Sequence, residues 1–131
     1  MSRRADWPER LAEFIEARRH EPFAWGANDC ALFAADCVHM LTDVDHAANL
    51  RGYKTERGAI GKIKRAGGLR AFASELPEKH TGLAQRGDVV LADMDGRETF
   101  GICAGNGFWC GPGPDGIVFR PMAEAVAAFE V

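Results

Sequence analysis

A chain of 131 residues with 47% hydrophobic content has room for one domain with its own core, spanning residues 1–131, and none for a second. Its formal charge of -3 comes with Lys and Arg scattered along the chain, so no basic footprint for nucleic acid stands out. The opening "MSRRADWPERLAEF" puts charges where the apolar stretch of a secretion signal would follow, and no apolar run reaches membrane-spanning length. The expectation is a soluble protein made in the cytoplasm, with no signal peptide and no membrane insertion.

The first helix is expected after Asp6 as N-cap, with Pro8 in its first turn and Trp7, Leu11, Phe14 and Ile15 as its apolar stripe. It runs to about His20, which suits the negative end of the helix dipole. A second helix is expected from Asp29 to Leu41, with Cys30, Phe33, Cys37 and Leu41 along one face. Cys30 then falls in its first turn, while His39 lies more than two turns away and cannot reach it. Asp36 borders the stripe and is suited to capping a neighbouring loop. After a polar loop, a third helix is expected over Thr55 to Ala66, with Ile60 and Ile63 inward and a basic, solvated outer face. Gly67-Gly68 ends it, and a short fourth helix follows from Leu69 to Leu76, closed by Pro77. His46 and His80 fall in loops.

From Arg86 onward the hydrophobic period changes to two. Four strands are expected, Asp88 to Ala92, Glu98 to Ala104, Phe108 to Cys110 and Ile117 to Arg120. Their turns fall at Asp95-Gly96, at Asn106-Gly107 and in a Gly/Pro-rich loop over residues 111–116. Along the second strand, Thr99, Gly101 and Cys103 share one face and Phe100, Ile102 and Ala104 the other. The last segment, "MAEAVAAFEV", reads as a short helix docked on the sheet. Helices first and strands second make an α+β pattern.

The four cysteines are expected to be reduced. Cys30 and Cys37 lie about 10 Å apart along one helix, too far for a disulfide. Cys103 and Cys110 flank the Asn106-Gly107 turn and are expected to face each other across the ladder, as small apolar side chains on one sheet face or as a touching pair. There is no C-x-x-C and no paired His at ligand spacing, so no metal or other cofactor is expected.

Chemistry concentrates in "FAWGANDCALFAADCV", residues 23–38. A thiol at a helix N-terminus is lowered in pKa by the dipole and the unpaired N–H groups, the setting of a nucleophilic cysteine. Such a nucleophile also needs a base, usually His on a facing strand, oriented by a third polar group. Without one, Cys30 is a buried thiol that packs the helix on the sheet, Asn28 and Asp29 are capping residues, and Trp25-Gly26 is a turn with an aromatic anchor.

These residues resemble the NlpC/P60 cysteine peptidases. "FAWGANDCALFAADCV" is similar to their nucleophile segment, in which a Trp-Gly pair and an Asp-Cys open a helix. "RGDVVLADMDGRETFGICAGNGFW" is similar to the sheet that follows, where Gly-Asp opens one strand and a His-Val-Gly-Ile pattern the next. The whole chain is also similar to short phage and prophage tail-associated proteins of that clan, in which W-G-x-x-D-C, G-I-C-x-G and G-L/I-V-F-x-P recur. The resemblance implies a papain-like α+β domain, N-terminal helices packed on a small antiparallel sheet, with Cys30 in the nucleophile position and Asp29 beside it. It places Thr99 where the family has its histidine, and no histidine follows His80 in the chain. A neutral hydroxyl cannot take a proton from a thiol near neutral pH. His46 or His80 would have to fold over the site to replace it.

The resemblance therefore implies a structural and interaction component of a phage tail tip, built on a degenerate peptidase fold and carried in the virion tail. Its partners would be tail hub or baseplate proteins, met through an exposed Trp109 or the loop 111–116. The alternative is an active peptidase that cuts peptidoglycan stem peptides during DNA entry. A third class, a peptide- or small-ligand-binding module using the vestigial groove, follows because loss of the base need not close the cleft.

Overall fold

The structure, a computed structural model, describes residues 2–131. Three helices, α1 (Trp7–Arg18), α2 (Cys30–Thr42) and α3 (Glu56–Arg65), precede six strands: β1 (Glu78–Lys79), β2 (Val89–Met94), β3 (Arg97–Gly105), β4 (Phe108–Gly113), β5 (Gly116–Pro121) and β6 (Ala125–Phe129). The strands form one antiparallel sheet in the order β1-β6-β2-β3-β4-β5. This is the expected α+β class, helices first and sheet second.

α2 is apolar on nearly every side, as a helix enclosed by its neighbours must be. Leu32, Phe33, Cys37, Val38 and Leu41 are all buried. α1 covers one flank through Leu11 and Phe14, the Phe14 ring lying 5.3 Å from that of Phe33. The sheet covers another, with Val89, Leu91, Phe100, Ile102 and Cys110. Each large side chain so enclosed contributes about 1.5–3 kcal/mol. Asp36 is the one charged residue of α2, and it accepts from Arg18 of α1 at 2.8 Å and from Arg51 at 2.6 Å. Arg51 is held in turn by Asp45 at 3.0 Å, so Asp36 ties α1 and the 42–55 loop to α2. Asp6 does not cap α1 through its side chain but accepts from Arg10, and the basic residue of the last turn is Arg18 rather than His20.

The far face of the sheet carries a smaller cluster of Val90, Ala92, Cys103 and Trp109, covered by Ala84, Met94, Met122 and Ala125. Coverage on both faces explains why residues 89–92 of β2 are buried without alternation. Trp109, expected on the surface, is 2% exposed and cannot form a partner surface. The Gly/Pro-rich stretch 111–116 is not a loop either. β4 runs through Gly113 and β5 begins at Gly116, which leaves only Pro114 and Asp115 to turn the chain.

The Asn106-Gly107 turn forms as expected, both residues at positive φ and Gly105 opposite Phe108. An uninterrupted ladder from that turn would pair Cys103 with Cys110. A bulge between Cys103 and Gly105 shifts the register by one, so Cys103 opposes Trp109 and Cys110 opposes Ile102. The two cysteines therefore belong to clusters on opposite faces, and all four thiols are free.

Three further expectations are corrected. "MAEAVAAFEV" is a single 3-10 turn over Met122–Glu124 followed by β6, because its alanines fit beside β2 and fill an otherwise open sheet edge. The segment after Gly68 is a 3-10 turn over Leu69–Ala73, not an α-helix. On α3 the inward residue is Ala59, while Ile60 is 49% exposed and Ile63 half-buried.

The start of β2 and the two ends of the chain meet at Asp88, which has no solvent exposure. Its carboxylate accepts from Arg3 at 2.9 Å, Lys79 at 2.7 Å and the backbone N–H groups of Gln85 and Val131. A fully enclosed carboxylate is tolerable only with its acceptor sites filled in this way.

Candidate functional site

The ladder between β3 and β4 stops at Ile102 opposite Cys110. On the outer sides, β2 stays paired with β3 down to Met94 opposite Arg97, and β4 with β5 down to Gly113 opposite Gly116. The two central strands thus part at one end of the sheet. The segment before α2 enters the gap, where the backbone N–H of Phe23 donates to the Gly113 carbonyl at 2.8 Å. Ala24 and Asn28 then form an isolated bridge, and the residues between them turn the chain toward α2.

This turn depends on glycine. Gly26 has φ +80°, and a Cβ there would stand 2.1 Å from the Tyr53 carbonyl oxygen. The Trp-Gly pair is explained by this close approach, with Trp25 edge-on to Phe23 at 4.8 Å. Asn28 is buried; its amide donates to the carbonyls of Glu21 and Pro22 and its oxygen accepts from Arg18. It anchors the segment from below.

Asp29 is the N-cap of α2, with extended backbone and one carboxylate oxygen accepting from Leu32 N–H at 3.0 Å. Its other oxygen accepts from Gly26 N–H at 3.0 Å and from the Tyr53 hydroxyl. Tyr53, the only tyrosine, went unnoticed as part of a polar loop. Its sole signal was one large aromatic in that loop, just ahead of the Thr55 that caps α3.

Cys30 follows as the first residue of α2, half-buried. It lines a cleft of about 660 Å³ whose walls come from α3, the parted strands and the 23–25 segment. Thr99 lines the same cleft, so the two positions that the family motif pairs are brought together here. The Thr99 hydroxyl has only a long contact, 3.5 Å, to the Arg97 carbonyl.

The surroundings of the thiol disfavour its ionised form. Burial pushes the Cys30 pKa up, and the neighbouring Asp29 carboxylate adds to the rise. The backbone N–H groups of Phe100 and Ala31 and the Arg97 guanidinium act in the opposite sense without reversing it. The helix N-terminus, expected to lower this pKa, holds the Asp29 carboxylate through Leu32 N–H and reaches the sulfur through Ala31 N–H, which does not offset burial. Burial likewise raises Cys37 and Cys103, and takes Cys110 to about 12.

No histidine lines the cleft. His46 stands 3.5 Å from Glu75 and borders a separate small cavity between α2 and the 69–73 turn. The exposed His80 uses Nδ1 to accept from Gly82 N–H at 2.9 Å. His20 and His39 are exposed elsewhere. Arg97 is the cation that acts on the thiol; its guanidinium lies 5.5 Å from the Trp25 ring centroid.

A family model described as a domain of unknown function, DUF6950, matches residues 2–131. Among solved structures, the chain is similar to the crystal structure of the NlpC/p60 domain of the peptidoglycan hydrolase SagA, with a TM-score of 0.64 and 15% identity. The alignment covers 94% of this chain and 97% of that one. At this identity the likeness is one of fold. No curated protein matches the chain in sequence.

Proposed function

The chain belongs to the DUF6950 family and has an NlpC/P60-like fold, and from that premise we propose that it is a catalytically silent form of the fold that acts by binding, as a structural component of a phage tail tip. The observation that carries the silent reading is the cleft around Cys30. It holds a half-buried thiol with a raised pKa, Thr99 in the position of the family's base, and no histidine. Acyl transfer to a cysteine requires a thiolate and then a proton donor for the leaving amine. The raised thiol pKa and a lining without histidine support the silent reading.

The tail-tip assignment, with hub or baseplate proteins as partners, is supported by the likeness of W-G-x-x-D-C, G-I-C-x-G and G-I-V-F-x-P to tail-associated proteins. Among the described residues no helix is long and apolar enough to cross a membrane. Incorporation into the virion follows from this reading, and detection of the chain in purified tails tests it.

The second reading is an active peptidase on peptidoglycan stem peptides. It is favoured by the open cleft and by a cysteine at a helix N-terminus, in a fold shared with a peptidoglycan hydrolase domain. Incubation with stem peptides, followed by mass spectrometry of the products, separates the two. No cleavage is expected. Turnover that disappears in Cys30→Ala establishes the peptidase instead.

A further inference from the structure

The charges lining the Cys30 cleft are not balanced within the molecule. Arg3, Arg18, Arg51 and Arg120 each meet a carboxylate within 3 Å. Arg97, on the sheet wall, has no carboxylate within 4 Å among the described residues, and neither has Lys64 on the α3 wall. Arg120 also lines the cleft but is neutralised by a two-pronged contact with Glu124. Glu98 is the one carboxylate on the lining. Lys64 and Arg97 thus outnumber Glu98, which gives a net positive charge to a cleft whose remaining surface is largely apolar, from Trp25, Ile60, Leu69 and Val118.

Arg97 is also held in place. Its guanidinium lies over the Trp25 ring, and that ring is fixed edge-on by Phe23. A planar guanidinium so positioned keeps its donor edge free for a carboxylate, and less side-chain freedom is lost when one binds.

We infer that the cleft takes an extended peptide segment of a protein partner, seating an acidic side chain at Arg97, with Lys64 opposite and apolar residues on either side. This rests on the silent, binding role proposed above and specifies the chemistry of the partner. The 23–25 segment fills the gap between the strands, and the cleft left between it, β3 and α3 gives an extended segment side-chain space. Apolar surface supplies the contact area, and the two cations set orientation and choice of partner.

Fluorescence anisotropy of a labelled peptide alternating Leu and Glu, beside the same peptide with Gln for Glu, tests the inference. The Glu peptide is expected to bind, and to bind more weakly as salt is raised. Arg97→Gln and Lys64→Gln, both on exposed side chains, should each weaken it about tenfold while circular dichroism stays unchanged. The Gln peptide should bind wild type no better than the Glu peptide binds Arg97→Gln. The inference is overturned if the Glu peptide does not bind, if the Gln peptide binds equally well, or if Arg97→Gln has no effect. A peptidoglycan stem peptide that binds more tightly than the Glu peptide overturns the assignment to a protein partner. Cleavage of the Glu peptide, absent in Cys30→Ala, refutes the silent reading while leaving capture by Arg97 standing.

Discussion

Asp88→Ala is expected to cost about 3–5 kcal/mol of folding stability, the range for removing one partner from a buried charge network. The carboxylate has no solvent exposure, and Arg3 and Lys79 are themselves 12% and 15% exposed at their side chains. Its removal leaves two little-solvated cations and two backbone N–H groups without their acceptor. The loss also spreads, because Arg3 donates to the Val131 and Arg86 carbonyls as well. One residue thereby joins the first strand of the main ladder to residues near both ends of the chain. Asp88→Asn retains the shape and one acceptor oxygen, so it should fall between wild type and alanine in denaturant midpoint. An alanine variant within about 1 kcal/mol of wild type would show that water replaces these contacts at little cost.

Gly26→Ala should be comparably damaging, about 2–5 kcal/mol, by a different route. Left-handed backbone accounts for about 1–2 kcal/mol in a residue with a Cβ, and forced overlap in a packed region for about 1–3 more. The overlap is with the Tyr53 carbonyl, 2.1 Å from the added carbon, which is backbone and cannot rotate aside. Moving Tyr53 disturbs its bond to Asp29, and with it the cap of α2 and the placement of Cys30. Thermal unfolding reads the stability loss, and the fluorescence lost on Trp25→Phe, compared with and without Gly26→Ala, reads the change at the cleft. An unchanged melting temperature would mean that the 24–28 turn is free to open without consequence.

How much of this was legible depended on the scale of the feature. The 3.6-residue stripe of α1 is visible because it buries one face, and α2 is visible as a long apolar run because its neighbours enclose it. The Asn106-Gly107 turn is visible because two successive positive φ angles demand those residues. Its bulge is not. One extra residue at Ala104 leaves no mark in composition, yet it places Cys103 and Cys110 on opposite faces and Trp109 inside. β6 was hidden for another reason: "AEAVAAF" has high intrinsic helix preference, and only the open edge of β2 decides for a strand. At the site, Cys30 and Asp29 were legible as the start of a helix, whereas Thr99 entered through motif resemblance alone, since periodicity does not bring residues 30 and 99 together. Tyr53 and Arg97 were missed because their roles arise from contacts made across the fold.

Around the cleft, Asp29 caps, Gly26 turns and Cys30 opens the helix, and Thr99 lines the same cleft as the thiol. The cap itself disfavours activation, since it sets a carboxylate beside the sulfur. A histidine at residue 99 would have to supply both the base and a compensating charge.

The most direct test is the pH dependence of alkylation at Cys30 in the folded protein, with Cys30→Ala to subtract Cys37, Cys103 and Cys110. Because burial raises the thiol pKa, the thiolate fraction near neutral pH lies below that of a free cysteine. The rate should therefore be slow there and climb only above the ordinary thiol range of about 8.5. A profile with a midpoint well below about 8.5, and fast modification at neutral pH, would contradict the account and restore Cys30 as a working nucleophile.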